Sequence, residues 1–304
     1  MIKTRPWQAL IVGIVSGMTA CAACAGGTWT PYPLPTGGPQ VKAHYVHLEL
    51  SIDADHQARL RREIQDTYQV CKLGKEAERS VGKDPGPLAP PPPRGAPEKV
   101  KIGDVEIYYS AGRSVAIVTG STFRINLTDD GEGSSSERSR RADCSIREFK
   151  TKFLHVRPGT GVCEVDLLQG KYSSKSCPWT NTAPEHAPGI RQRNMTPADQ
   201  GGPPETMSRA TGQRRTIAGH QCDVIDIANG MFEKCFALPP SSFQIPASHY
   251  AGRRTGLLLQ QKWPAVGETL TAKEVRLEMD VSAAIFDPPP GVRLESPRLE
   301  RKRK

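Results

Sequence analysis

Residues Arg215 to Ala237 read RTIAGHQCDVIDIANGMFEKCFA. Apolar residues flank Asn229-Gly230, a dipeptide that populates positive φ at both centres of a type I′ hairpin turn. A two-stranded antiparallel hairpin follows. Cys222 and Cys235 have the parity to share one face of it. A turn centred on Asn229-Gly230 sets them diagonally, and a turn shifted by one residue sets them directly opposite, so a cross-strand disulfide is expected in either register. Gly219, with Cys222 and Cys235, is expected to matter for the structure rather than for chemistry. Two more strand segments follow, Gly256 to Trp263 and Thr269 to Val281, and the block ends at Phe286-Asp287-Pro288-Pro289-Pro290-Gly291.

Working upstream, the same period recurs. Val46, Leu48, Leu50 and Ile52 alternate with His47, Glu49, Ser51 and Asp53, the pattern of a half-buried strand. Val105, Ile107 and Tyr109 alternate, Val115 to Val118 is a short apolar run, and Phe123, Ile125 and Leu127 alternate again. Further strands are expected at Ile146 to Val156 and Val162 to Leu168. Residues 56 to 71 instead carry Leu60, Ile64, Tyr68 and Cys71 at helical spacing, with Asp53 or Asp55 as N-cap. Four consecutive prolines lie within residues 82 to 97 and are excluded from a sheet ladder. This segment and residues 178 to 208 are expected to be flexible insertions. The fold class is therefore mainly β, of the α+β kind, with one or two short helices and long polar loops. Residues 41 to 292 form its single domain.

The final block resembles a known group. Its IAGxxC strand entry (Ile217 to Cys222), the Gly256-Leu257-Leu258-Leu259 segment and the closing FDPPPG are similar to small bacterial exported domains near the lipoprotein-carrier (LolA/LolB-like) superfamily. The resemblance covers residues 213 to 294. It implies an open, curved antiparallel half-barrel, with a concave apolar face that takes acyl chains in members of known activity.

The N-terminus reads as a secretory signal. Lys3 and Arg5 precede the apolar stretch Ala9 to Ala20, whose twelve residues fall short of the about 20 needed to span a bilayer. Two cleavage sites compete: before Gly26, giving a signal peptide of residues 1 to 25, or at a lipobox, Met18-Thr19-Ala20-Cys21, with Cys21 lipidated. Residues 26 to 40 are Pro/Gly-rich and read as a tether. Beyond the signal lie Cys71, Cys144, Cys163, Cys177, Cys222 and Cys235. An even number in an exported chain points to disulfides but leaves the connectivity open. A zinc site is disfavoured by the wide spacings.

The net charge of +9 is uneven. Lys3 and Arg5 contribute +2 and the basic tail, residues 293 to 304, +4, which leaves +3 for the rest. A nucleic-acid-binding domain carries its charge on a face of the fold, so nucleic acid is not an expected partner. With 28 Gly and 27 Pro in 304 residues, the chain stays below the composition of low-complexity proteins. There is no P-loop, no zincin helix motif and no nucleophile elbow. Neither a cofactor nor an enzymatic activity is expected. The expected role is binding, either of a lipid or acyl chain or of an envelope protein partner, with membrane association through the N-terminal lipid if Cys21 is modified. Leu257, Leu258, Leu259 and Trp263, with Val275 and Leu277, are the candidate ligand-lining residues, and core packing is the competing role for all six. The rival classes are a hydrolase on the same scaffold and an adaptor docked through its Pro-rich loops.

Overall fold

A computed structural model describes residues 32–127, 142–158, 163–173, 208–245, 256–287, 289 and 293–295. Among these, twelve strands and one α-helix occur in the order β1 (Gln40–Ile52), α1 (Ala54–Ser80), β2 (Lys101–Ser110), β3 (Arg113–Ile125), β4 (Ile146–Pro158), β5 (Cys163–Asp166), β6 (Lys171–Ser173), β7 (Ser208–Ile217), β8 (His220–Ile227), β9 (Phe232–Ala237), β10 (Leu257–Trp263), β11 (Glu268–Ser282) and β12 (Arg293–Glu295). They form one sheet in the order β12-β6-β5-β4-β3-β2-β1-β11-β10-β9-β8-β7. The sheet is not closed into a barrel. Every neighbouring pair is antiparallel except β12 with β6.

The sheet curls. Leu258 on β10 donates its backbone N–H to the Tyr109 hydroxyl on β2 at 3.3 Å. Two strands, β1 and β11, lie between them. In a flat sheet those three steps span about 14 Å, which is beyond a tyrosine side chain. The face that carries Tyr109 is therefore the inner one. Val46, Leu48, Val105, Ile107 and Tyr109 from β1 and β2 belong to the same core cluster as Phe236, Leu258, Leu270 and Ala272. At β8 and β9 this cluster reaches both sides of the sheet, taking in Cys222, Val224 and Cys235.

The outer face has its own core of Ala43, Tyr45, Tyr108, Val115, Ile117 and Leu154, covered by Ile285 and Phe286 of a 3₁₀ turn. β1 is accordingly buried on both faces from Ala43 to Leu48. The half-buried strand that its alternation suggested is instead a central strand.

Helix α1 is longer than the short helix expected at 56–71. Asp53 caps it, its Oδ1 accepting the His56 N–H at 2.8 Å. The helix runs 27 residues and ends in a Schellman motif: Gly82, at φ +75°, donates to Arg79 O and Lys83 donates to Glu78 O, both at 3.0 Å. Ile64 and Tyr68 pack on Ile125 and Cys144, with Phe123 and Ile146 at the margin. The Cys71–Cys144 disulfide, Cα–Cα 6.0 Å, ties the helix to the residues that enter β4.

Residues 82–97, expected as a flexible insertion, pack along α1. Donors along one side of α1 meet their carbonyls: Gln65 Nε2 to Pro92 O at 3.0 Å, Tyr68 Oη to Ala89 O at 2.8 Å, and Lys75 Nζ to Pro85 O. Prolines lack an N–H but keep the carbonyl acceptor, so a Pro-rich stretch suits a helix face rich in donors. The expected tether is also docked over its described part. Tyr32 and Leu34 pack on the outer core, and the Tyr32 N–H donates to Glu106 Oε1 at 2.8 Å. The basic tail is not wholly a tail, because Arg293–Glu295 pair with β6. Most of the segment 178–208 lies outside the described residues.

Candidate functional site

The site is built by the register of five strands. Ile225 pairs with Lys234, Lys234 with Gln261, Gln261 with Leu270, and Leu270 with Leu50. Directly paired residues share a face of the sheet. Phe236 and Leu258, directly paired, lie on the same face as Lys234 by strand alternation. This is the inner face. A lysine and a glutamine thus sit side by side in a row of apolar side chains, two of which, Ile225 and Leu270, are buried.

Gln261 is 6% exposed. Among the described residues, its Oε1 has no hydrogen-bond partner. A buried acceptor left in that state costs about 1–3 kcal/mol. Beside it, burial pushes the Lys234 ammonium down to about 8, because apolar surroundings disfavour the charged form.

One step outward along the strands lies the rim. Trp263 pairs with Glu268, and Glu268 with Ile52. Lys101 Nζ lies 2.7 Å from Glu268 Oε1. Here a cleft of about 320 Å³ is lined by Ser51, Ile52, Asp53, Lys262, Trp263, Pro264, Gly267, Glu268 and Thr269. Deeper along the same face the sheet is closed. His44 Nε2 lies 2.8 Å from Ser241 Oγ, Phe243 stacks on its ring with centroids 4.6 Å apart, and Ile245 joins the core. The inner face is therefore plugged at the Tyr109 end and indented at the Trp263 end.

This geometry sorts the residues expected from sequence. Leu257, Leu258 and Leu259 are 0% exposed and belong to the core. Three consecutive buried residues in one strand are accommodated by a bulge between Leu258 and Gln260. The three leucines line no part of the cleft, which corrects the expectation that they lead the ligand contacts. Trp263 does line it. Val275 is partly buried against the inner core, and Leu277 is 36% exposed. Gly219 takes φ +80° in the turn that joins β7 to β8. Cys222 and Cys235 form a disulfide with Cα–Cα 5.3 Å. Val224 pairs with Cys235, so the bond runs diagonally, as a turn with Asn229 and Gly230 both at positive φ requires. Cys21 and Cys177 lie outside the described residues, as does the side chain of Cys163.

Two other polar clusters have structural explanations. Asp53 Oδ1 lies 2.7 Å from His56 Nδ1, a carboxylate–imidazole pair at the cleft. It is the N-cap of α1 closed on itself, and Asp53 also donates its backbone N–H to Gly267 O at 3.0 Å. Glu106 is 3% exposed on the outer face. It accepts the Tyr32 N–H, and the Tyr45 and Tyr108 hydroxyls lie 3.4 Å from its Oε2. Burial raises its pKa, and its partners come from the strands beneath it and from the segment that crosses them.

Among the described residues, no group of three metal-ligating side chains converges, and no helix is long and apolar enough to cross a membrane. The two disulfides mark an oxidising, non-cytoplasmic compartment. Compared with known proteins, the chain matches no family model and no curated protein sequence.

Proposed function

We propose that the protein is a non-catalytic protein of the cell envelope that binds a hydrophobic ligand on the inner face of its curved sheet. The observation that carries this reading is the unequal closure of that face, plugged by Phe243 and Ile245 at one end and indented beside Trp263 at the other. The indentation is lined on its apolar side by Ile52, Trp263 and Pro264, and Trp263 packs on the apolar core. Apolar area left at a concave mouth favours a ligand that removes it from water. The C-terminal resemblance to lipoprotein carriers supports the same reading. So does the N-terminal signal, which would deliver the chain to the periplasm or, through a lipid on Cys21, to the outer membrane. An adaptor role for the Pro-rich segment 82–97 is not proposed, because α1 already engages its carbonyls.

The test is native mass spectrometry of the protein purified from membrane-containing extract, together with titration by the apolar probe N-phenylnaphthylamine. A stoichiometric apolar ligand, or saturable probe binding relieved by Trp263→Asp, is the expected result. A protein that carries no ligand and takes up no probe overturns the reading. The mass of the mature N-terminal peptide settles the anchor: an acylated Cys21 supports it, and a start at Gly26 excludes it.

A further inference from the structure

The plug on the inner face is held by a bulge. Ala43 pairs with Met279 and Tyr45 with Arg276, so His44 alone stands opposite both Leu277 and Glu278. The extra residue of a bulge loses its place in the ladder. Glu278 sits at φ +52°, a left-handed backbone that a residue with a Cβ disfavours. Its N–H goes to a side chain instead, donating to His44 Nδ1 at 3.1 Å.

That bond fixes where the ring carries its proton. Nδ1 accepts, so in the neutral imidazole the proton is on Nε2. Nε2 therefore donates to Ser241 Oγ at 2.8 Å. Ser241 Oγ in turn donates to Phe243 O at 2.7 Å and accepts the Phe243 N–H at 3.3 Å. Phe243 stacks on the ring, and Ser242 donates its N–H to the Glu278 carboxylate. Ser241, Ser242 and Phe243 are thus all tied to His44 or Glu278.

His44 is 0% exposed. An imidazolium has two donors and no acceptor. A proton on Nδ1 would set N–H against N–H at the bulge and leave the Glu278 amide without its acceptor. The charged group beside the ring is the Glu278 carboxylate on β11. Tyr109 is the direct partner of His44 on β2. Lys42, two residues along β1, is paired with Asp280 at 2.9 Å. Residues 241–245 read SSFQI and carry no charge. Burial lowers the His44 pKa, and Glu278 offsets part of that effect. The neutral ring and its contacts are therefore kept above the ordinary imidazole range and lost as pH falls through the folded value.

We propose that residues 241–245 are a lid over the inner face, held shut by the neutral imidazole of His44 and released when His44 takes up a proton. The proton comes from solvent to Nδ1 and the bond from the Glu278 N–H breaks. Ser241 to Phe243 then leave the bulge, and the apolar core that Ile245 joins is uncovered. This goes beyond the hydrophobic-ligand reading, which concerns the mouth at Trp263.

The experiment is amide hydrogen exchange by NMR on the full mature chain from pH 7.5 to pH 4.5, with the ¹⁵N shifts of the His44 ring followed in the same samples. At pH 7.5 the ring is expected to be the Nε2–H tautomer. Below the His44 midpoint, protection of the Glu278 and Phe243 amides is expected to fall by up to about tenfold per pH unit, as for release coupled to one proton, while β2 and β3 stay protected. N-phenylnaphthylamine fluorescence should rise at the same midpoint. His44→Asn keeps a side-chain acceptor that does not titrate, and should flatten both curves. The inference is overturned by an Nδ1–H tautomer at pH 7.5, by protection that does not change or changes away from the His44 midpoint, or by β2 and β3 losing protection together with the lid. Loss of lid protection without a rise in probe fluorescence overturns it too, as does a transition that survives in His44→Asn. Probe binding at neutral pH relieved by Trp263→Asp is a separate result, so the lid and the mouth can fail independently.

Discussion

The Tyr109 hydroxyl accepts the backbone N–H of Leu258 across the inside of the curled sheet, 149 residues away in sequence. This hydrogen bond joins the β2 side of the sheet to the β10 side without passing through the strands between them. Tyr109→Phe keeps the ring and deletes the acceptor. The expected loss is about 1 kcal/mol, read as a lower urea midpoint at unchanged slope with the disulfides intact. An unchanged midpoint would mean that the curl is set by side-chain packing alone.

Gly267 is a second point where the backbone has no freedom to change. It sits at φ +60°, and a Cβ there would run into the Asp53 carboxylate and the His56 ring. Gly267→Ala therefore combines a left-handed backbone, costing about 1–2 kcal/mol, with displacement of the α1 cap, worth about 1 kcal/mol. A thermal melt should show a loss of about 2–3 kcal/mol. Asn at the same position, tolerant of that φ but no smaller at Cβ, should rescue only part of it.

The two described disulfides close loops of very different length, with sequence separations of 73 for Cys71–Cys144 and 13 for Cys222–Cys235. Loop-closure entropy makes the longer loop worth about 1.5 kcal/mol more. Replacing Cys71 and Cys144 together by Ala should cost more stability than replacing Cys222 and Cys235 by that margin. Equal losses in paired denaturation curves would show that native-state packing, not chain entropy, governs both.

Glu106 supplies a pH dependence of the less common sign. Burial raises its pKa, more than the Tyr32 N–H, the nearby His47 and the two tyrosine hydroxyls lower it. The native state thus holds a proton that the unfolded chain has already released. Stability contributed at this site is present below the ordinary glutamate range and falls as pH rises through it toward the raised folded value. Glu106→Gln should flatten that part of the stability–pH curve. A Glu106→Gln curve parallel to wild type from pH 4 to 7 would remove Glu106 as the source.

Much of the architecture was legible because alternation is a strong signal. β1, β2, the hairpin of β8 and β9, and β10 with β11 all stand out by period. The reach of α1 was not legible. Past Cys71 the segment KLGKEAERS contains Gly74 and little apolar periodicity. It is helical because Cys71 is bonded to Cys144 and Lys75 reaches Pro85 O, contacts made by residues distant in sequence or outside the helix. The docking of residues 82–97 was missed for the same reason, since it depends on which side chains α1 presents. Lys234 and Gln261 were invisible too. In FEKCFA and LLLQQKW each polar residue has a polar neighbour, and period 2 does not say which of the two faces inward. Only the pairing of β9 with β10 and β8 decides it.

That decision depends on register, and register here is covalent. In β9 the side chains of Cys235 and Lys234 leave the strand in opposite directions. A slip of β9 by one residue against β8 would turn Lys234 outward and bring Glu233 or Cys235 into its place. The Cys222–Cys235 bond forbids that slip from the far side of the sheet. A disulfide on one face of the sheet therefore dictates which side chain of β9 the other face presents.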